Sequence, residues 1–348
     1  EPGWTNDPNK KSTGSDTGEA NISRFSASRL QKYLDALYLP IAQKAINHGL
    51  YWVIRPPGVC PKDLKVGDAY QNYLKTVWNI VSSNSWVKNN SGIVSLELAN
   101  EPVHIYNRYG QSSATAMRDY FHPVVDVIRK NGFKGIIWIP GTGYQSQYEN
   151  YATYPVSDSN FGYAVHVYPG WYEASDTNYD SNAFIYNFQK QVPVVKNKPI
   201  LVSEIDWSPE KPGAGKYNEF GQWVASNLGS WGTATTSKWG NAWKKVMDHF
   251  GNISMTLTST DDYLDIDNFL KTGQIKAGLE ANPEACGQTC FYWYYEYSKK
   301  DYAHKSAGTS SSNPNTQPST GSSASGNTQV LNKSPSWAKS TAAKYFTN

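Results

Sequence analysis

Residues 93–102 read Ile-Val-Ser-Leu-Glu-Leu-Ala-Asn-Glu-Pro, an apolar run that ends abruptly in Asn-Glu-Pro. A short, nearly continuous apolar run is typical of a strand that is buried on both faces. Pro102 has no backbone N–H and cannot continue a central strand, so the sequence predicts that Glu101 lies at the carboxyl end of this strand. Residues 199–204 repeat the pattern, because an apolar run leads directly into Glu204.

Helices alternate with further short apolar strands through the first 303 residues. We predict strands at 50–54, 93–98, 135–139, 163–167, 199–203 and 289–294, and helices at 24–48, 70–87, 112–131, 182–191, 216–227 and 238–250. This alternation predicts a parallel sheet that is covered by helices.

Two parallel architectures fit this order of elements. An open doubly wound sheet that binds nucleotides usually carries a glycine-rich phosphate loop, and the sequence has neither Gly-x-Gly-x-x-Gly nor Gly-x-x-x-x-Gly-Lys-Ser/Thr. In a (β/α)8 TIM barrel, the active site lies at the carboxyl ends of the strands. Polar residues follow the predicted strands at those ends: Arg55, Asn100, Glu101, His166, Tyr168, Glu204, and Trp293 with Glu296. We therefore predict an α/β protein with a (β/α)8 TIM barrel.

The number of predicted strands is two short of a closed barrel. Six strands are predicted, whereas a (β/α)8 barrel has eight. The first 23 residues read as a loop rich in Gly, Asn, Asp and Ser. We therefore expect the barrel to be N-terminally incomplete, with its first two strands upstream of Glu1.

The two strand-end glutamates predict glycoside hydrolysis. Glu101 and Glu204 can face each other across the mouth of a barrel, although they are far apart in the chain. Cleavage of a glycosidic bond needs such a pair, because one carboxyl group protonates the leaving oxygen while the other attacks the anomeric carbon or activates water.

The composition agrees with a sugar-binding enzyme and excludes other classes. Aromatic residues make up 14% of the chain and charged residues 18%, so the bulk of the chain is not disordered. The net charge of +3 is too small to indicate nucleic-acid binding. The absence of a long apolar run predicts that no helix spans a membrane. The acidic stretch 261–267 lacks EF-hand spacing, and we predict no metal and no cofactor.

The composition changes sharply near residue 304. We predict a catalytic domain at 1–303, a flexible Ser/Thr/Gly/Asn/Pro linker at 304–329, and a tail or the start of a truncated module at 330–348. Such linkers often tether secreted catalytic domains, so we expect an extracellular monomer with a possible carbohydrate-binding module beyond the linker. A disulfide would suit export, but three cysteines, Cys60, Cys286 and Cys290, leave at least one thiol free.

Four segments together resemble glycoside hydrolase family 5, the cellulase family. They are LELANEP (96–102), YAVHVYP (163–169), PILVSE (199–204) and CFYWYYEY (290–297). The resemblance covers residues 50 to 300 and implies a retaining (β/α)8-barrel hydrolase.

The resemblance also implies roles for individual residues. Glu101 corresponds to the general acid/base and Glu204 to the nucleophile. Asn100 would bind the 2-hydroxyl of the sugar that is cleaved, while His166 and Tyr168 would border the nucleophile. Trp293 would form the floor under that sugar.

The sequence departs from the family pattern in two places. Family members usually carry an arginine after the second barrel strand that contacts the nucleophile, and many carry a histidine after the third. We find no arginine at the first position, and residues 54–58 read Ile-Arg-Pro-Pro-Gly at the second. We therefore expect the arginine contact to be missing.

The function that we predict is a secreted retaining endo-β-1,4-glucanase acting on a β-linked polysaccharide. Trp171 and Trp207 follow predicted strands and are candidates for stacking on sugar. Two alternatives stay open: another β-glycanase with the same two glutamates, such as a β-mannanase or xyloglucanase, or a non-catalytic carbohydrate-binding barrel.

Overall fold

A computed structural model describes residues 22–256, with gaps at Arg24, Pro57, Asp176, 206–215, 218–222 and 225–237, and also residue 272. Its strands are β1 (Trp52–Ile54), β2 (Asp63–Lys65), β3 (Val94–Glu97), β4 (His104–Tyr106), β5 (Ile137–Pro140), β6 (Phe161–Val167), β7 (Ile200–Ile205), β8 (Lys216–Tyr217), β9 (Trp223–Val224) and β10 (Ile253–Met255). Its α-helices are α1 (Ala27–Tyr33), α2 (Leu39–Asn47), α3 (Ala69–Ser83), α4 (Ser85–Asn89), α5 (Ala116–Lys130), α6 (Glu149–Thr153), α7 (Ser181–Gln191) and α8 (Lys238–Phe250). A π-helical turn, Leu34–Tyr38, joins α1 to α2.

The main sheet holds six parallel strands in the order β1-β3-β5-β6-β7-β10. Each strand therefore lies beside the next main-sheet strand along the chain, and helices form the crossovers between them. This is the arrangement of a barrel wall, in which strands follow one another around the axis. Strands β3, β5 and β6 are buried along their whole length, as expected for strands with helices on one side and a filled interior on the other.

Helix α3 is fixed to the carboxyl end of β3 by a buried tryptophan. The side chain of Trp78 is fully buried, and its Nε1 donates to the carbonyl oxygen of Leu98 at 2.9 Å. Asp68 caps the amino end of α3 by accepting from the backbone N–H of Gln71. The helix thereby holds the segment that leads into Glu101.

The carboxyl end of α5 is tied to the start of β6 by an arginine. Arg129 donates from Nε and Nη2 to the two carboxylate oxygens of Asp158, both at 2.8 Å. It also donates to the carbonyl oxygens of Phe133, Gly135 and Asn160. This one side chain therefore holds together the loops on both sides of β5.

Two secondary-structure predictions differ from the structure. The predicted helix at 216–227 is wrong, because β8 and β9 form a short antiparallel pair there. The sixth strand of the sheet is β10, which the sequence did not predict, and β10 lies beside β7. The strand predicted at 289–294 lies outside the described residues, as do the linker and tail at 304–348.

A small parallel sheet of β2 and β4 was also not predicted. Cys60, near β2, is buried and has a free thiol, whereas Cys286 and Cys290 lie outside the described residues. Within the described part of the chain, none of the helices has the length and apolar character needed to cross a membrane.

Candidate active site

Glu101 and Glu204 meet at the carboxyl ends of β3 and β7. One carboxylate oxygen of each, together with Nδ1 of His166, lies within 4.8 Å of the others. Strands β5 and β6 separate β3 from β7 in the sheet, so a flat sheet would hold the two ends about 14 Å apart, three strand spacings. The sheet must therefore curl, and the predicted convergence of the two carboxylates is what the structure shows.

Glu204 accepts hydrogen bonds on both carboxylate oxygens. Arg55, just after β1, donates from Nη1 to Oε1 at 2.8 Å, and the Tyr168 hydroxyl donates to Oε2 at 2.7 Å. Burial alone would raise the pKa of Glu204, but the charges of His166 and Arg55 and the two hydrogen bonds hold that pKa below its usual value. Glu204 is thereby kept ionised.

Arg55 also connects Glu204 to Asn100. The same Nη1 donates to Oδ1 of Asn100 at 2.9 Å. Desolvation would lower the pKa of Arg55, but the carboxylates of Glu97, Glu204 and Glu101 raise it. Our expectation that the chain lacks an arginine in contact with the predicted nucleophile is therefore wrong, because Arg55, just after β1, contacts Glu204.

His166 lies between the two glutamates. Its side chain is fully buried, and Nδ1 is 3.2 Å from Oε1 of Glu101 and 3.4 Å from Oε2 of Glu204. Desolvation would lower the pKa of His166, but the neighbouring carboxylates, Glu204 first, raise it. In the sheet, His166 is the register partner of Glu204, next to an irregularity that leaves Ser203 as an extra residue in β7. A bulge of this kind re-aims side chains beside an active site.

The backbone at Glu101 is held in an uncommon conformation. Its φ is +54°, in the left-handed region that non-glycine residues adopt at a cost on the order of 1–3 kcal/mol. The loop after β5 pairs with this segment, because Tyr144 N donates to Pro102 O and Gly143 N donates to Val103 O. The N–H of Glu101 itself donates to Oε1 of Gln145 at 2.7 Å.

A family comparison identifies the chain. The model of the family described as cellulase (glycosyl hydrolase family 5) matches residues 40–239, which include Arg55, Glu101, His166 and Glu204. The chain belongs to glycosyl hydrolase family 5. It is therefore a glycoside hydrolase. The curled sheet of six strands is part of the wall of a (β/α)8 barrel.

The solved structures that match the chain include a β-glucanase and the catalytic domain of an endoglucanase. The β-glucanase SdGluc5_26A from Saccharophagus degradans is 16% identical, with 68% of this chain and 67% of that chain covered and a TM-score of 0.48. The catalytic domain of Thermobifida fusca endoglucanase Cel5A is 17% identical, with 79% and 77% covered and a TM-score of 0.49. The search of curated proteins found no match.

The aromatic residues predicted to bind sugar have different outcomes in this family 5 hydrolase. Trp171 is only 6% exposed, and its ring packs edge-on against Tyr168 with centroids 5.1 Å apart. Trp171 is therefore buried against Tyr168 and not in an exposed loop, and its role in stacking on sugar stays a prediction. Trp207 and Trp293 lie outside the described residues.

The cluster of Glu101, His166 and Glu204 offers three atoms that could bind a metal ion. Both oxygens of Glu204 already accept hydrogen bonds from Arg55 and Tyr168. The positive charge of Arg55 would also repel a cation at this position. The donor set therefore suits an acid–nucleophile pair better than a metal centre.

Two residues that the sequence analysis missed complete the site. Glu97, within β3, is 1% exposed, and Gln145, after β5, is fully buried. Nε2 of Gln145 donates to Oε1 of Glu97 at 3.0 Å, and the hydroxyl of Ser203 donates to the same oxygen at 2.8 Å. The position of Glu97 inside a mostly apolar strand could have predicted its role. No feature of the sequence indicated a role for Gln145.

Proposed function

We propose that the protein is a retaining endo-β-1,4-glucanase that cleaves β-1,4-glucan by double displacement. The observation that carries this proposal is the closeness of the two carboxyl groups, since one oxygen of Glu101 lies within 4.8 Å of one oxygen of Glu204. Retaining enzymes place the pair about 5–5.5 Å apart, whereas inverting enzymes leave about 6.5–9.5 Å for a water molecule. The name of the family, cellulase, supports the choice of polymer.

The environments of the two glutamates support different roles. Glu204 is held ionised by Arg55, Tyr168 and His166 and is suited to nucleophilic attack. Glu101 has no arginine or tyrosine contact among the hydrogen bonds given above; its carboxylate faces His166. We assign Glu204 as the nucleophile and Glu101 as the general acid/base.

The reaction then proceeds in two balanced steps. In the first, a Glu204 oxygen forms a bond to the anomeric carbon while Glu101 gives its proton to the glycosidic oxygen, and the bond between that oxygen and the carbon breaks. In the second, Glu101 takes a proton from water, the water oxygen bonds to the anomeric carbon, and Glu204 leaves as a carboxylate. His166, between the two carboxylates, can adjust its hydrogen bond as the charge moves from Glu204 to Glu101.

Reducing-sugar release from a panel of soluble β-glycans tests this assignment. We expect wild-type protein to degrade β-1,4-glucan, and Glu101→Gln and Glu204→Gln each to lower kcat by roughly 10²- to 10⁴-fold. The matched control is Glu149→Gln, at an exposed glutamate at the start of α6, which should keep full activity. Faster hydrolysis of mannan or xyloglucan would contradict β-1,4-glucan as the preferred substrate. Binding without release of reducing sugar would show that the protein is a non-catalytic carbohydrate-binding barrel.

The stereochemistry of the first product tests the retaining mechanism. Proton NMR during early turnover should show the β-anomer before mutarotation. Initial release of the α-anomer would contradict the double displacement and the nucleophilic role of Glu204.

We also propose that the enzyme acts outside the cell. The linker-like composition of residues 304–329 and a polymeric substrate support this location. Immunoblots of the source organism should find the protein in the culture medium, and confinement to the cell pellet would contradict the proposal.

A further inference from the structure

Gln145 makes hydrogen bonds to several segments of the candidate active site. Its side-chain Oε1 accepts from the backbone N–H of Glu101, and its Nε2 donates to Glu97 and to the carbonyl oxygen of Ala164. Its own carbonyl oxygen accepts from the backbone N–H of His166 at 3.0 Å. One residue therefore binds the strand ends that carry Glu101 and His166.

Glu97 extends this connection to the strand that carries Glu204. Oε1 of Glu97 accepts both from Gln145 and from the hydroxyl of Ser203. Ser203 immediately precedes Glu204 and is the extra residue in the register of β6 against β7. A continuous path of hydrogen bonds thus runs from the Glu101 backbone through Gln145 and Glu97 to Ser203.

This path of hydrogen bonds includes features that oppose folding. Glu97 is a carboxylate with 1% exposure, and Gln145 has a φ of +62° with a fully buried side chain. Burial of polar side chains and a left-handed backbone at a non-glycine residue both oppose folding. Proteins in which apolar residues of similar volume replace buried charged or polar groups are often equally stable. The stability of the fold alone therefore does not account for this arrangement.

We propose that Gln145, together with Glu97, is a positioning residue that holds the Glu101 carboxyl in line with the glycosidic oxygen. The inference rests on the proposed roles of Glu101 and Glu204. Among the described residues, the side-chain acceptor for the Glu101 N–H is Oε1 of Gln145, and the backbone there is already in a disfavoured region. Loss of this hydrogen bond would let the segment relax and would move the carboxyl away from the leaving group.

The experiment compares two glycosides that differ only in their leaving group. Phenyl β-cellobioside needs a proton from Glu101 as it departs, whereas 2,4-dinitrophenyl β-cellobioside leaves without one. In Gln145→Met, which keeps the volume but loses all three side-chain hydrogen bonds of Gln145, we expect kcat/KM to fall about 10- to 100-fold for the phenyl glycoside. For the dinitrophenyl glycoside we expect a fall of less than about threefold, because kcat/KM reports the first step alone.

The ratio of the two values is independent of how much of the variant folds, since both are measured on one preparation. The matched control is Gln71→Met. Gln71 is likewise buried, accepts from the N–H of Gly67 and donates to the carbonyl oxygen of Tyr120, and these bonds lie in and beside α3. Its ratio should equal that of the wild type.

A second variant, Gln145→Glu, tests for rescue. A protonated carboxyl group at this position can accept from Glu101 N–H and donate to Glu97, and two carboxyl groups at this distance tend to share one proton. At acidic pH we expect the ratio of kcat/KM for the phenyl glycoside to kcat/KM for the dinitrophenyl glycoside to equal that of the wild type. As the pH rises, this ratio should fall toward the value for Gln145→Met.

The outcomes separate this inference from the proposed function. A wild type that cleaves neither glycoside contradicts the proposed function and the positioning role with it. An active wild type whose two kcat/KM values fall equally in Gln145→Met contradicts the positioning role alone.

Discussion

The ionisation of Glu204 depends on side chains that reach it from two strands. Arg55 follows β1, while His166 and Tyr168 come from β6 and the residue after it. Each lowers the free energy of the carboxylate relative to the protonated acid. The charge state of Glu204 is therefore set by residues far from it in the chain.

Replacement of Arg55 tests this dependence. Arg55→Met removes a positive charge and a hydrogen bond that lower the pKa of Glu204, so that pKa should rise. Because Glu204 must be ionised in its proposed role as nucleophile, the acidic limb of the kcat/KM–pH profile should move to higher pH. We also expect kcat/KM at the optimum to fall about 10- to 100-fold, the equivalent of one hydrogen bond to a charged group.

The control for this prediction is Arg118→Met, which removes an arginine paired with Asp119 at the start of α5. Its pH profile should match that of the wild type. An acidic limb that stays in place in Arg55→Met, or moves to lower pH, would show that Arg55 does not hold Glu204 ionised.

At the residue scale, the sequence predicts the strand-end glutamates but not all of their partners. Glu101 and Glu204 are visible because each ends an apolar strand. Arg55 also follows a predicted strand, yet its contact with Glu204 joins β1 to β7 and depends on the curvature of the sheet. Gln145 could not be predicted, because its role depends on a left-handed backbone and on contacts made only in the folded chain.

At the scale of elements, α5 and β6 are joined by the pair of Arg129 and Asp158. The side chain of Asp158 is 8% exposed and that of Arg129 is 22% exposed. Burial would raise the pKa of Asp158, but the hydrogen bonds and charge of Arg129 hold it below its usual value. A depressed carboxylate pKa stabilises the fold above about pH 4, and this contribution is lost as the pH falls through the lowered value.

Arg129→Met should therefore destabilise the protein by about 3 kcal/mol near neutral pH, since it leaves a mostly buried carboxylate without its cation. Urea unfolding at neutral and at acidic pH measures the effect, and the difference from wild type should shrink in acid. Lys244→Met is the control, because Lys244 forms an exposed pair with Asp248 within α8 and should cost less than about 0.5 kcal/mol. Equal effects of the two variants would show that the Arg129 pair contributes no more than a surface pair.

Most elements were predictable because their patterns are strong. Helix α8 has the predicted bounds, 238–250, and five of the predicted strands overlap those of the main sheet. Strand β10 has only three residues after Gly251 and Asn252, too few for a periodic signal. The error at 216–227 has a related cause, because two-residue strands such as β8 and β9 exist only through their pairing.

At the scale of the whole molecule, composition predicts where the catalytic domain ends. Residues 304–329 lack the apolar side chains that a folded core requires. A chain that ends at residue 303 should keep the wild-type melting temperature within about 2 °C, because such a segment buries little surface. Its activity on soluble glucan should also be unchanged. A clearly lower melting temperature would place part of the 304–348 segment in the catalytic domain.

The curl of the sheet has a consequence for the configuration of the product. Strands β5 and β6 carry neither glutamate, yet they span the arc between β3 and β7 and so fix the gap between the two carboxyl groups. If this arc opened by only a few ångströms, a water molecule would fit between sugar and base, and hydrolysis would give the opposite anomer. For the retaining mechanism that we propose, the configuration at the anomeric carbon therefore depends on the curvature of the whole sheet, and substitutions in β5 or β6 that never touch a sugar should alter it.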